Sequence, residues 1–306
     1  MHEWRPEVVV DAGWARRLIG TQFPEVELGS LRLLGEGWDT TVWLVHERWV
    51  FRFPRREVVI PGFERELAVL PRLAERLPLS VPSPVFHGRP DDGFPWPFSG
   101  AALLPGREVA VADLTDAERL RETPPLARFL RALHALEPRD VGGDGSLLPV
   151  DANGRADMAV RVGLTVDRLA QAERLGVWRA PDKVARILAE ARALRPPPEP
   201  VTLAHGDLHI RHLLVGADGR LSGVIDWIDV CRGDPGIDLP VYWSFVPPDG
   251  RAAFAAEYGP IAPGALLRAR VLAVFLSATL AVYAREQGDA ALERGAVAAL
   301  DRSVAG

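Results

Sequence analysis

Apolar and other residues alternate along Leu31–Val45 and Trp49–Phe53, with Val42, Leu44, Trp49, Phe51 and Phe53 at alternate positions. A period of two is the signature of strands, so this stretch reads as strand, glycine turn, strand. An amphipathic pattern over about residues 6–18 predicts a helix before it. After it, Leu67, Leu70, Leu73 and Leu77 fall on or near one helical face, and Pro71 is expected to bend or interrupt that helix. Val81-Pro-Ser-Pro84 leads in extended form to a strand near Val85–His87. Residues 89–97 read as a loop, and 101–106 as a strand ending in a turn. Thr123-Pro124 is expected to start a helix, with a capping hydroxyl and proline in the first turn. Leu126, Phe129, Leu130 and Leu133 form its apolar face, with His134 packed beside them. Gly142–Gly145 and Asn153-Gly154 break the chain before two helical patterns, about 157–175 and 182–194, the second ended by Pro196-Pro-Pro198. Three short apolar runs follow, Val201–Ala204, Leu213–Val215 and Leu221–Ile225. The last two join across Asp218-Gly219, a hairpin by its turn chemistry. Beyond Asp238 the pattern is helical, with stops at Pro247–Gly250 and Gly259-Pro260.

A length of 306 residues, 48% hydrophobic and 25% charged, fits two modest cores. The net charge of −5 excludes a general nucleic-acid binder. Cys231 is the sole cysteine, so no internal disulfide forms and a reducing, cytoplasmic location is expected. Residues 1–6 carry no apolar signal segment. The most apolar run, Val271–Ala284, is shorter than the roughly 20 residues that span a bilayer and reads as a buried helix, with no membrane partner expected. The basic residues are almost all arginine. The single lysine, Lys183, leaves none in the first half for a phosphate-binding task.

The polar residues concentrate where the short runs meet: His205-Gly-Asp207-Leu-His209-Ile-Arg-His212, then Asp226 at the end of the hairpin. Short apolar strands hold Asp207, His212 and Asp226 near one another on a rigid base. A single such aspartate is as easily a cap on its own turn as a functional group. The ordered set is not explained that way.

His205-Gly-Asp207-Leu-His209, followed within a hairpin by Ile225-Asp226-Trp227 and then by Arg232-Gly-Asp234-Pro-Gly-Ile-Asp238-Leu, resembles the aminoglycoside phosphotransferase superfamily, small-molecule relatives of protein kinases. The resemblance covers about residues 30–245. It implies a two-lobed, protein-kinase-like α+β fold: a mainly antiparallel first lobe over 1–100, a hinge at 101–106 and a mostly helical lobe over 107–306. Asp207 takes the catalytic-base position, with His209 two residues on and near the γ-phosphate, and Asp226 takes a metal-ligand position. Gly35, Gly37, Thr40 and Thr41 resemble the loop over the nucleotide phosphates, although the third glycine of the kinase pattern is replaced by Thr40. Arg52 stands where kinases keep lysine, and it retains a charge and a planar fork for phosphate. Glu66 is its expected partner, with Glu64 a stand-in. Ala102 and Leu103 fall at the hinge, where backbone groups meet the nucleobase. Asp234, Asp238 and Tyr242 are candidate substrate contacts; Tyr242, Trp243 and Phe245 read equally as core.

The resemblance implies transfer of phosphate from ATP or GTP, with Mg²⁺ or Mn²⁺, to a hydroxyl of a small molecule. A macrolide or aminoglycoside antibiotic is the first expectation, and the macrolide branch is nearest in motif. Kinases of choline, homoserine or sugar amines share the pattern. A nucleotide-binding scaffold without turnover is the competing class, favoured by His212 for asparagine, Arg52 for lysine and the absent glycine. Most of the superfamily carries asparagine at position 212. Histidine there either ligates metal, for which imidazole suits softer ions than Mg²⁺, or braces the loop.

Overall fold

The computed structural model describes residues 6–141, 147–197 and 202–305. The expected break at 142–145, together with Pro198 and Val201, lies outside them. The chain divides into two compact units, one of residues up to 75 with 81–104, the other of 76–80 with 105–305. The short excursion 76–80 belongs with the second unit, as the division at 100 did not anticipate. Ser80 pairs with Gly223, and its carbonyl accepts from the Val224 amide at 2.8 Å.

The first unit is built on five antiparallel strands in the order β1-β2-β3-β5-β4: β1 (Leu31–Glu36), β2 (Thr40–Val45), β3 (Trp49–Pro54), β4 (Pro84–Gly88) and β5 (Phe98–Ala102). Helix α1 (Ala12–Gln22) begins later than the opening pattern suggests, because the Asp11 carboxylate accepts from the Trp14 amide and sets the start. Its Ala15, Leu18 and Ile19 pack with Trp43, Phe51, Phe53, Phe94 and Phe98 in one apolar core. Gly100 is required by that packing, since a Cβ there would stand 2.6 Å from the Phe51 ring. Helix α2 (Ile60–Ala74) continues through Pro71, so of the expected bend or interruption the interruption does not occur. Val69, Leu70 and Leu73 around it are buried, and their burial holds the last turn.

The second unit is mostly helical: α3 (Asp116–His134), α4 (Met158–Arg174), α5 (Lys183–Arg192), α6 (Pro240–Ser244), α7 (Arg251–Tyr258), α8 (Pro263–Gln287) and α9 (Ala290–Val304). Helix α3 starts seven residues before Thr123, so that expected start is corrected. Thr115 and Glu118 form a capping box, while Pro124 and Pro125 lie inside the helix. Helix α8 is long and apolar enough to cross a bilayer by length and composition alone, but it is mostly buried and serves as the central helix of this unit.

Five short strands complete the second unit. Strand β6 (Arg107–Glu108) pairs with β8 (Leu213–Val215), which forms the expected hairpin with β9 (Leu221–Val224). Strand β7 (Thr202–Ala204) pairs with β10 (Cys231–Gly233). The chain is thus α+β as expected, with the antiparallel sheet in the first unit and helices dominating the second.

Candidate active site

Strand β7 delivers the chain to His205, and β10, beside it, carries the chain on towards Asp238. The floor of the loop is the fully buried Asp238 carboxylate. It accepts from the backbone amides of His205 at 2.7 Å and Gly206 at 2.9 Å, and meets His134 Nε2 at 3.1 Å. The other His134 nitrogen is 2.6 Å from the Tyr258 hydroxyl. Burial pushes the Asp238 carboxyl up, but the hydrogen bonds from His134 and the Gly206 amide outweigh it, leaving the group below its ordinary value. Asp238 is therefore a structural residue, which corrects its expected contact with substrate. Asp234 is corrected likewise: its carboxylate caps the turn at Gly236 and lies 3.4 Å from the buried Arg268. Tyr242 is buried between Trp243 and Phe254, as its core reading had it.

Gly206 has φ of +87°, and a Cβ there would stand 2.1 Å from the Asp229 carbonyl oxygen. No other residue fits this turn. His205 donates from Nε2 to the Ile225 carbonyl at 3.0 Å and accepts at Nδ1 from the Asp207 amide at 3.2 Å. Both nitrogens are satisfied by the neutral ring, and burial pulls its pKa down to about 4. His205 thereby ties the loop to the end of the β8–β9 hairpin.

The hairpin ends on Asp226, which has φ of +66°. A left-handed backbone at a non-glycine residue costs about 1–3 kcal/mol and clusters at functional sites. Across from it, His212 Nδ1 contacts the Asp207 carbonyl at 2.8 Å. A carbonyl only accepts, so Nδ1 carries a proton and Nε2 is the nitrogen turned outward from the loop. That Nε2 faces the Asp226 carboxylate at 3.4 Å. The ring and the carboxylate in this arrangement can share a proton, or, with Nε2 unprotonated, both turn donor atoms toward one cation.

Asp207, His209 and His212 also offer donor atoms within 4.8 Å of one another. The His209 ring, however, accepts at Nδ1 from the Arg211 amide at 3.2 Å, so its proton sits on Nε2. That N–H faces the Asp207 carboxylate at 3.8 Å. Burial, and then the charges of His212 and Arg211, hold His209 well below its ordinary pKa. It is a buried neutral ring turned to Asp207, which does not suit the expected contact with a γ-phosphate.

Asp207 itself is held from a side the sequence did not disclose. Arg155 Nη2 stands 2.9 Å from Asp207 Oδ1 and 2.8 Å from Asp229 Oδ2. The second contact is a hydrogen bond; the first is off-axis and is an ion pair only. Asn153 fixes the other Asp229 oxygen at 2.9 Å, and Asp151 caps the amides of Arg155 and Ala156. Burial raises the Asp207 carboxyl to about 6, against the opposing charges of Arg155 and His212. Burial lowers Arg155, but Asp207 and Asp229 more than restore it. Asp229, three residues after Asp226, was open to notice in the sequence. Arg155 was not, because it sits in a glycine-containing break with no pattern around it.

In the first unit, Arg52 on β3 forms a hydrogen-bonded ion pair with the buried Glu66 of α2, and its guanidinium lies 5.9 Å from the Phe63 ring centre. Glu64 is exposed. The turn between β1 and β2 is braced by two further arginines that sequence reasoning passed over: Arg55 donates to the Gly37 carbonyl at 2.7 Å, and Arg56 pairs with Asp39. Around Gly35 a Cβ would meet nothing within 4 Å. Thr40 is buried and Thr41 completely so, their backbones paired with β3. Thr41, expected in the loop over the phosphates, is instead a buried residue of β2, and that expectation is corrected. Ala102 ends β5, and the Leu103 amide donates to the Arg48 carbonyl at 2.7 Å.

The family model described as "Phosphotransferase enzyme family" matches residues 30–270. The chain is 26% identical over 211 residues to the "Uncharacterized protein YcbJ" of Bacillus subtilis (strain 168), a match that spans 63% of this chain and 62% of that protein. Among solved structures, the GDP and kanamycin complex of APH(2")-IIIa aligns over 94% of this chain and 97% of its own, at 22% identity and a TM-score of 0.68. The apoenzyme of macrolide 2'-phosphotransferase MphH from Brachybacterium faecium aligns over 94% and 98%, at 23% identity and a TM-score of 0.61. At these identities the likeness is one of fold.

Proposed function

The chain belongs to the phosphotransferase enzyme family, and from that premise we propose that it transfers the γ-phosphoryl group of ATP or GTP to a hydroxyl of a small molecule. The observation that carries the proposal is the facing pair of His212 Nε2 and Asp226, 3.4 Å apart, beside the loop that presents Asp207. This donor set fits a divalent cation, and its imidazole suits Mn²⁺ at least as well as Mg²⁺. When bound, such an ion supplies charge neutralisation across the phosphates. His212 and Asp226 hold it; the tautomer fixed by the Asp207 carbonyl keeps the His212 lone pair directed at it.

Asp207 accepts the proton of the acceptor hydroxyl and orients its oxygen. Its carboxyl, raised to about 6, lies close enough to neutrality to take a proton while staying ionised at pH 7. Arg155 and His209 position it. Arg52, held by Glu66, and the turn at Gly35 and Gly37, where Gly35 leaves side-chain space empty, receive the phosphates, and the Ala102–Leu103 backbone receives the base. GTP is included because the solved relative carries GDP.

For the acceptor we favour a hydroxylated molecule with an apolar face, of macrolide type. Val160 and Leu164, one turn apart on α4, are 53% and 41% exposed, on the helix that follows the Arg155 loop. A polycationic aminoglycoside calls for free carboxylates, and Asp229 is already taken by Arg155 and Asn153. The test is a mass-shift screen of macrolides, aminoglycosides, choline, homoserine and sugar amines with each nucleotide. Phosphorylated macrolide is the expected product. Nucleotide binding without transfer to any acceptor overturns the activity in favour of a scaffold.

A further inference from the structure

A second buried cationic cluster lies in the second unit, among residues that the proposed reaction does not use. Arg119 of α3 is only 5% exposed, and its Nε and Nη1 are buried with no hydrogen-bond partner among the described residues. Its guanidinium carbon lies 5.2 Å from the Phe245 ring centre. Arg302, in the last turn of α9, donates from Nε to the Ser244 carbonyl at 2.9 Å and leaves Nη2 buried and unpartnered. Burial, followed by the charge of Arg302, pulls Arg119 down to about 9. Both arginines line a cavity of about 240 Å³, with Ala110 and Ala298 on its wall.

A buried guanidinium without an acceptor costs several kcal/mol, and a well-packed apolar residue in its place is usually cheaper. The nearby acids offset the charge without reaching the buried nitrogens: Asp116 and Asp301 are exposed, Glu118 is held by Thr115, and Asp113, on the cavity wall, is exposed and 3.9 Å from Arg294, which also lines the cavity. What the buried nitrogens of Arg119 and Arg302 lack is a hydrogen-bond acceptor. Its volume equals about eight waters at roughly 30 Å³ each, below the roughly 300–1,000 Å³ of pockets for drug-sized ligands. A nucleotide is therefore too large. The planar arginine fork matches tetrahedral and planar oxyanions.

We infer that the cavity between α3 and α9 is an oxyanion site, in which Arg119 and Arg302 bind a small tetrahedral oxyanion of the inorganic phosphate class. An occupant ties the first turns of α3 to the end of α9 and stabilises the second unit in proportion to its saturation.

Thermal unfolding against sodium phosphate, with sodium chloride at matched ionic strength, tests this, together with calorimetric titration by phosphate. The parent protein is expected to show a saturable rise of at least about 2 °C and one-site binding heat. General salting effects rise without saturation. Arg119→Met should abolish the saturable part. Ala298→Glu, which places an internal carboxylate in the cavity, should abolish it too while raising the midpoint without phosphate, and it covers the case in which the first variant folds poorly. Arg52→Ala, which weakens phosphate contacts under the proposed function, should keep the full response. The inference is overturned if the parent shows no saturable response, if both cavity variants retain it, or if Arg52→Ala loses it.

Discussion

Asp238 and Asp207 occupy the floor and the rim of one loop, and burial pushes both carboxyls in the same direction. On the floor, two backbone amides and His134 oppose the push and leave Asp238 below its ordinary value. On the rim, Asp207 has a single off-axis guanidinium, and it ends near 6. The more deeply buried of the two is the one held low, so the hydrogen bonds decide the outcome against depth. A buried charge with all its acceptor sites filled is a fastener; one left under-bonded stays available to a proton.

Exchanging the two roles is the most direct way to break this contrast. Asp207→Asn should cost about 10²–10⁴-fold in turnover, the usual range for a general base, with nucleotide affinity little changed; a fully active variant removes Asp207 from the mechanism. The same variant should leave the fold as stable as the parent or more so. The Asp207 pKa is raised from 3.8 to about 6, so its stabilising contribution is complete below pH 4 and lost as pH rises through 6. The gain in melting temperature should accordingly be visible at pH 8 and vanish near pH 4.

Asp238→Asn should do the reverse, destabilising the protein by about 3 kcal/mol, as removal of one partner from a buried charged network does. Denaturant midpoints measure it, and any activity that survives should have an unchanged KM.

The rim also sets the pH profile. Single-turnover rates should rise about tenfold per pH unit up to about 6 and then level, since only the ionised carboxylate serves. Arg155→Gln should move that rise to higher pH, because it removes the nearest opposing charge. An unmoved profile makes Arg155 a purely structural contact.

The smallest effect sits at His212. His212→Asn should reduce the preference for Mn²⁺ over Mg²⁺ by several-fold in nucleotide affinity while retaining turnover. An unchanged metal preference would mean that His212 only braces the loop.

The side-chain groupings that were legible in the sequence share a cause. Asp207, His212 and Asp226 lie on one short hairpin and its approach, where separation in sequence is nearly separation in space, and the strands on either side announce themselves by apolar runs. Arg52 and Glu66 were legible because a strand and the helix after it keep a fixed offset. Arg155 comes from a loop about fifty residues away, and no periodicity marks it. The misplaced start of α3 has another origin: proline was read as a boundary, but the Thr115–Glu118 box sets the start, and packing of Leu126, Phe129 and Leu130 carries the helix through two prolines. Tertiary burial overrode a local rule.

The guanidinium of Arg52 has one more consequence, for chemical probes. Nucleotide reagents with an activated acyl group report on binding sites by acylating a nearby amine. A guanidinium that stays protonated and is tied to a buried carboxylate offers no such nucleophile. The only side-chain amine in the chain is Lys183, at the start of α5 in the second unit. The only thiol, Cys231, is buried and pushed up to about 12, so alkylating reagents find little thiolate there. A survey of nucleotide sites by amine or thiol labelling would therefore pass over this protein even at full occupancy.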